Sequence, residues 1–209
     1  MKQIKIYINE KLHVTTKSHS YSCHPKTWEE LREIIIQRIE NDGSDCDLND
    51  IDVSKIENMS YMFCAIGNKI FEDFNGDVSM WNVSNVKNME CMFWGCVQFN
   101  GDMSEWDVSN VTDMSSMFSK CENFNGDISQ WDVSSVIKMQ EMFSGCKEFN
   151  CDLSDWNMSK VENIQEMFKG CKKFRCNLLS NWWDVSNVKY MNRAFKGCPT
   201  KPIWWRKIK

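Results

Sequence analysis

The sequence predicts a right-handed α/β solenoid of about six 25-residue repeats, closed at its N-terminal end by a β-hairpin and a helix. Three observations predict it. Phe74, Phe99, Phe124, Phe149 and Phe174 recur at a constant step of 25. Trp81, Trp106, Trp131 and Trp156 keep that step, and Trp183 follows after 27 because the last unit has two extra residues. Each unit also combines a helical with an extended spacing of apolar residues. One such unit cannot bury its own apolar face, whereas stacked copies can.

Residues 1–45 read as the cap. Ile4, Ile6 and Ile8 alternate with polar residues, Asn9-Glu10-Lys11 turns, and Leu12-His13-Val14-Thr15 returns, giving a hairpin over 2–16. Thr27 and Glu30 form a capping box that starts a helix at Trp28. Trp28, Leu31, Ile35 and Ile39 are its apolar stripe, and Asn41-Asp42-Gly43 stops it.

Residues 46–198 are the repeats. From Val111, the residues Met114, Met117, Phe118 and Cys121 fall at +3, +6, +7 and +10, one face of a short helix. Ser109-Asn110 offers N-cap oxygens to it. Phe124, Ile128, Trp131 and Val133 suit an extended segment with a turn at Asn125-Gly126-Asp127. Strands stack ~4.8 Å apart and helices ~8–10 Å apart, so such a coil curves with its strands inside; short 3₁₀ pieces in place of helices make it straighter. A degenerate first unit places Ile66 in the register of Cys96, Cys121, Cys146, Cys171 and Cys198. Residues 199–209 are a basic, aromatic end, read either as a lid over the last coil or as a hook for an anionic membrane surface or nucleic acid.

Composition narrows the function. The chain has 209 residues, 25 Lys and Arg against 29 Asp and Glu, and 42% apolar residues. That argues against general disorder and against a surface devoted to nucleic acid. The start carries neither the apolar stretch of a signal peptide nor a lipobox, so the expected location is cytoplasmic as written, or the cell surface if a leader precedes it. Eleven cysteines, an odd number, fit reduced, buried thiols.

No motif for an enzyme stands out. His13, His19 and His24 lack metalloprotease spacing. Cys23 beside His24 is not a credible nucleophile pair, because neighbours in an extended segment point to opposite sides. The cysteines include no C-x-x-C pair, which disfavours zinc; Cys151 and Cys176 share one register, so a disulfide between them is geometrically conceivable. Asp77, Asp102, Asp127 and Asp152 supply too few oxygens for Ca²⁺ and read as turn formers. The cysteine ladder and the ladder Trp81, Trp106, Trp131, Trp156 and Trp183 read as core. No cofactor or small-molecule substrate is expected. Two rows differ from unit to unit: Met80, Glu105, Gln130 and Asp155 before each Trp, and Trp94, Ser119, Ser144 and Lys169 after each repeat Phe. They are either contact points for a partner protein or unconstrained surface.

The unit Phe124-Asn125-Gly126-Asp127-Ile128-Ser129-Gln130-Trp131-Asp132-Val133-Ser134, continuing to Met139, Met142, Phe143 and Cys146, resembles the repeat of BspA-like leucine-rich-repeat surface proteins in the version common in mycoplasma lipoproteins. Pro25-Lys26-Thr27 and the segment from Asp47 to Ser54 are similar to what precedes those repeats, so the resemblance covers residues 25–198. It implies a leucine-rich-repeat-like solenoid and, in some members, adhesion to host matrix or other bacteria; it carries no catalytic residues. The function expected is a non-enzymatic protein-interaction scaffold. The alternatives are a surface adhesin and an effector that binds an anionic partner through residues 201–209.

Overall fold

The computed structural model describes residues 20–175, 183–202 and 205. The hairpin expected over 2–16 lies outside them.

The helix expected after Thr27 forms as α1, Trp28–Asp42. The Thr27 hydroxyl accepts from the Glu30 N–H at 3.2 Å, and the Glu30 carboxylate accepts from the Lys26 N–H at 2.7 Å. The first satisfies one of the donors a helix start leaves open, and the second ties the residue before the cap to the first turn. Gly43, at φ 93°, ends the helix by donating to the Ile39 carbonyl. Leu31, Ile35 and Ile39 are buried.

The repeats are where the α/β solenoid expectation fails. Beyond α1, the only helical segment assigned among the described residues is a single 3₁₀ turn, Lys69–Phe71, and there are isolated parallel bridges in place of strands. The segment read as a helix from Val111 to Cys121 is a run of turns. The Met117, Ser119 and Cys121 N–H groups close turns on Met114, Ser116 and Phe118. The N–H groups between them leave the unit altogether: Met114 donates to Lys138, Ser116 to Gln140, Phe118 to Met142 and Lys120 to Ser144, at 2.7–2.9 Å. An α-helix needs every N–H for its own i−4 carbonyl, so this division excludes one.

The backbone enforces the same result. Ser116 and Lys120 have φ of 54° and 64°, in the left-handed region. Their counterparts Tyr61, Cys91, Glu141, Glu166 and Arg193, and Gly95, Gly145, Gly170 and Gly197, share it. Two left-handed residues per unit break a right-handed helix at each turn. The spacing +3, +6, +7, +10 is that of successive turns as well as of a helix face.

Each unit therefore stacks on the next at backbone distance. Bridges join Asn58, Asn88, Asp113, Lys138, Asn163 and Tyr190 in succession. Phe63, Phe93, Phe118, Phe143, Phe168 and Phe195 form a column with ring centroids 5.0–5.8 Å apart. That step is near the ~4.8 Å of paired backbones and well short of the ~8–10 Å that helices need. Phe99, Phe124, Phe149 and Phe174 stack beside the column at 4.1–4.2 Å.

The first unit departs from its register. Ile66 is 58% exposed, because the chain turns out at Gly67 (φ 77°) into the longer connection before Phe74.

In the register of Met139, Glu141, Phe143 and Gly145 the N–H groups of one unit donate to carbonyls of the next, whereas the indoles, the ladder thiols and other backbone N–H groups, such as those of Thr112, Ile137 and Glu162, donate to the unit before. The first unit thus presents carbonyls to whatever precedes it. Side chains of α1 take them: Trp28 Nε1 donates to Ser60 at 2.8 Å, and the Arg32 guanidinium donates to Tyr61 and Met62. Arg38 pairs with Asp50 at 2.6 Å, and Cys23 bridges to Ile51.

Candidate functional site

The variable residues before each Trp form an exposed row. Met80, Glu105, Gln130 and Asp155 all face solvent, Met80 with 51% of its surface. The tryptophans that follow them are buried and stacked: Trp81, Trp106 and Trp131 are 6.4 Å apart and within 3° of parallel. Each indole N–H, from Trp81 to Trp183, donates at 2.9–3.0 Å to a carbonyl of the preceding unit: Leu48, Val78, Met103, Ile128 and Leu153. The row is therefore held on a fixed frame.

The second row does not form a surface. Ser119 and Ser144 are buried, while Trp94 and Lys169 are half-buried. The carbonyls of Ser119, Ser144 and Lys169 accept from Gly95, Lys120 and Gly145 of the unit before. Residues so placed lie between units, so this row gives a partner no continuous contact. Lys120 covers the Trp94 ring at 4.2 Å.

The thiols of Cys96, Cys121, Cys146, Cys171 and Cys198 each point at the carbonyl of a Phe in the preceding unit, at 2.9–3.0 Å. Burial pushes the first four upward in pKa. Cys198, half-buried, is instead lowered, first by the neighbouring Cys171 and then by Lys201 and Lys172. Such raised thiols are poor nucleophiles. Cys151 is a free thiol, while Cys176 lies outside the described residues.

The carboxylates of Asp77, Asp102, Asp127 and Asp152 each accept from the backbone N–H of the Ser two residues on, at 2.9–3.0 Å, which forms an Asx turn. Asn75, Asn100, Asn125 and Asn150 accept from the N–H groups of Asn100, Asn125, Asn150 and Arg175, a ladder of amides along the stack. Among the described residues no three His, Cys, Asp or Glu are grouped to hold a metal ion. His24 is exposed and pairs with Asp52 at 3.2 Å, whereas Cys23 packs against the core. His13 and His19 lie outside the described residues. Among those residues no helix is long and apolar enough to cross a membrane.

The sequence reading singled out residues 199–209 as a basic, aromatic end but not the concavity that Lys201 and Trp205 share with the last unit. There Met191, Arg193, Phe195, Lys196, Lys201 and Trp205 line an open concavity of about 440 Å³. Trp205 meets Phe195 edge-on at 5.2 Å. Arg193 reaches back to Glu166 at 2.9 Å, whereas no described carboxylate pairs with Lys196 or Lys201. A signal for this end was present in the letters: residues 167–209 hold eleven Lys and Arg against Asp184 alone, while residues 1–166 hold 14 against 28 acids.

The family described as "Mycoplasma protein of unknown function, DUF285" matches residues 40–125 and 101–202. No curated protein and no solved structure matches the chain.

Proposed function

We propose, from the premise that this chain belongs to the DUF285 family of mycoplasma proteins, that it is a non-enzymatic scaffold for binding another protein. The observation that carries this reading is the exposed row Met80, Glu105, Gln130 and Asp155. Four consecutive units each place one side chain of different chemistry in the same register, beside indoles that cannot shift without losing a hydrogen bond. A rigid array binds with less ordering cost than a flexible one. The test compares the wild-type chain with a quadruple variant, Met80→Ala, Glu105→Ala, Gln130→Ala and Asp155→Ala, in crosslinked pull-downs from the native cell. The variant melts at the wild-type temperature, because all four residues are exposed. Loss of the enriched proteins supports the reading; the same proteins retained at the same abundance overturn it.

Within the mycoplasma repeat proteins, we propose kinship with the BspA-like surface proteins, supported by the unit from Phe124 to Cys146. That reading places the scaffold outside the cell. Protease treatment of intact cells tests it: rapid loss of the chain supports surface exposure, and full protection removes it.

A further inference from the structure

We infer that the C-terminal end of the stack is a docking edge for an acidic peptide segment, which lays its backbone carbonyls on the last unit. This surface is separate from the row of Met80, and the inference does not depend on that row.

Direction is the first ground. At each interior junction four alternate N–H groups donate to the next unit, as Met139, Glu141, Phe143 and Gly145 do to Asn163, Gln165, Met167 and Lys169. The positions equivalent to Met139, Glu141 and Gly145 in the last unit are Met191, Arg193 and Gly197. Among the described residues no carbonyl accepts from these three N–H groups. Three donors of that edge therefore face outward, and backbone N–H groups are costly to leave unsatisfied once covered. The occupant must bring acceptors at alternate positions, which the backbone of a peptide does.

The concavity and the charge supply the rest. Met191, Phe195 and Trp205 give it an apolar floor, which a bare inorganic anion would not use. Lys196 and Lys201 stand on its rim without an ion pair among the described residues, and the acid near Lys196, Glu166, is already paired with Lys169 and Arg193. The surrounding segment is strongly basic, as the eleven cations and one acid of residues 167–209 show. Carbonyls, an apolar side chain and carboxylates together describe an acidic peptide with apolar residues interspersed. A membrane surface offers charge without carbonyls at a fixed alternate spacing.

The experiment measures fluorescence anisotropy of a labelled peptide of four alternating Glu-Leu pairs against the full chain, at low and physiological salt. Parallel arms use a Lys-Leu peptide, vesicles containing phosphatidylserine, and sedimentation equilibrium of the chain alone. Two variants report on the site: Lys196→Glu with Lys201→Glu, and Trp205→Ala. The quadruple row variant serves as the control for the other surface. The Glu-Leu peptide is expected to bind wild type and the row variant alike. The charge-reversed variant weakens it at least tenfold, Trp205→Ala weakens it less, and the Lys-Leu peptide does not bind. Equal affinity for wild type and the charge-reversed variant overturns the inference. So does displacement of the peptide by the vesicles, or self-association of the chain that the charge reversal abolishes. Retention of cellular partners by the row variant, with the peptide result intact, sinks only the proposed function.

Discussion

The two ends of the stack face opposite chemical problems. At the N-terminal end the repeats present carbonyls, and α1 answers with two side-chain donors, Trp28 and Arg32. At the C-terminal end they present N–H groups, and the neighbouring side chains are Lys196 and Lys201, which have no acceptor to offer. The register that donates forward at every junction makes this difference: its carbonyls are left over at the first unit and its N–H groups at the last.

The largest expected effect lies between the ends. Trp131→Ala removes a buried ring stacked on Trp106 and takes one of two donors, the other being the Trp106 N–H, from the Met103 carbonyl. Its cost is expected at ~3–5 kcal/mol, the range for deleting a large buried side chain, read from urea denaturation. An unchanged midpoint would mean that the tryptophan column is not part of the core.

The next pair of substitutions compares the ends directly. Arg32→Ala leaves the Met62 carbonyl without its donor and the Tyr61 carbonyl with the Cys64 N–H alone, and should cost ~1–3 kcal/mol. Lys196→Ala, exposed and without an ion pair among the described residues, should change stability by less than ~0.5 kcal/mol. Equal losses would erase the distinction between a closed and an open end.

The thiols sharpen the same contrast at smaller scale. Iodoacetamide added to the folded chain at pH 8 should modify Cys198 well before Cys96, Cys121, Cys146 and Cys171. The last unit leaves its thiol half-buried and lowered, whereas burial raises the others. Peptide mass mapping gives the order, and uniform labelling would contradict it.

Acid gives the smallest effect. Hydrogen bonds from Ser129, Ser134 and Ser186 hold Asp127, Asp132 and Asp184 below the usual carboxylate range. At the N-terminal end burial opposes the shift of Asp50, but Ser22 and Arg38 lower it on balance. A carboxylate whose folded pKa is depressed contributes stability above its unfolded value, about pH 4, and loses it as pH falls through the folded value. Melting temperature should therefore decline below pH 4. Asp127→Asn with Asp132→Asn should flatten that decline while keeping the turns, because Asn82 and Asn157 already accept from Ser84 and Ser159 in this way. An unchanged acid slope in the double variant would rule these turns out as its source.

How much of this the sequence disclosed depended on what each residue had to reveal. The period of 25, the Phe and Trp registers and the bounds of α1 were legible, because apolar spacing and the Thr27 and Gly43 caps leave direct marks. The conformation inside each unit was not. Turns and a helix share the spacing of Met114, Met117, Phe118 and Cys121, and the left-handed residues Tyr61, Cys91, Ser116, Glu141, Glu166 and Arg193 are not glycines. Only Gly95, Gly145, Gly170 and Gly197, which precede four of the five ladder cysteines, hinted that the chain leaves the helical region there. Of the two variable rows, Met80 to Asp155 reaches solvent. Ser119 and Ser144 do not, since nothing in the letters says which carbonyls face the neighbouring unit. The basic end was visible as charge, but its open donors follow from the direction of the hydrogen bonds, which only the stack reveals.

Residue-resolved amide hydrogen exchange on the free chain tests the central claim most directly. Forward donation by this register, with its last N–H groups left without acceptors, predicts strong protection at Met114, Ser116 and Lys120 and at Met139, Glu141 and Gly145, with fast exchange at Met191, Arg193 and Gly197. Protection of those last three amides equal to that of their interior counterparts would contradict the account.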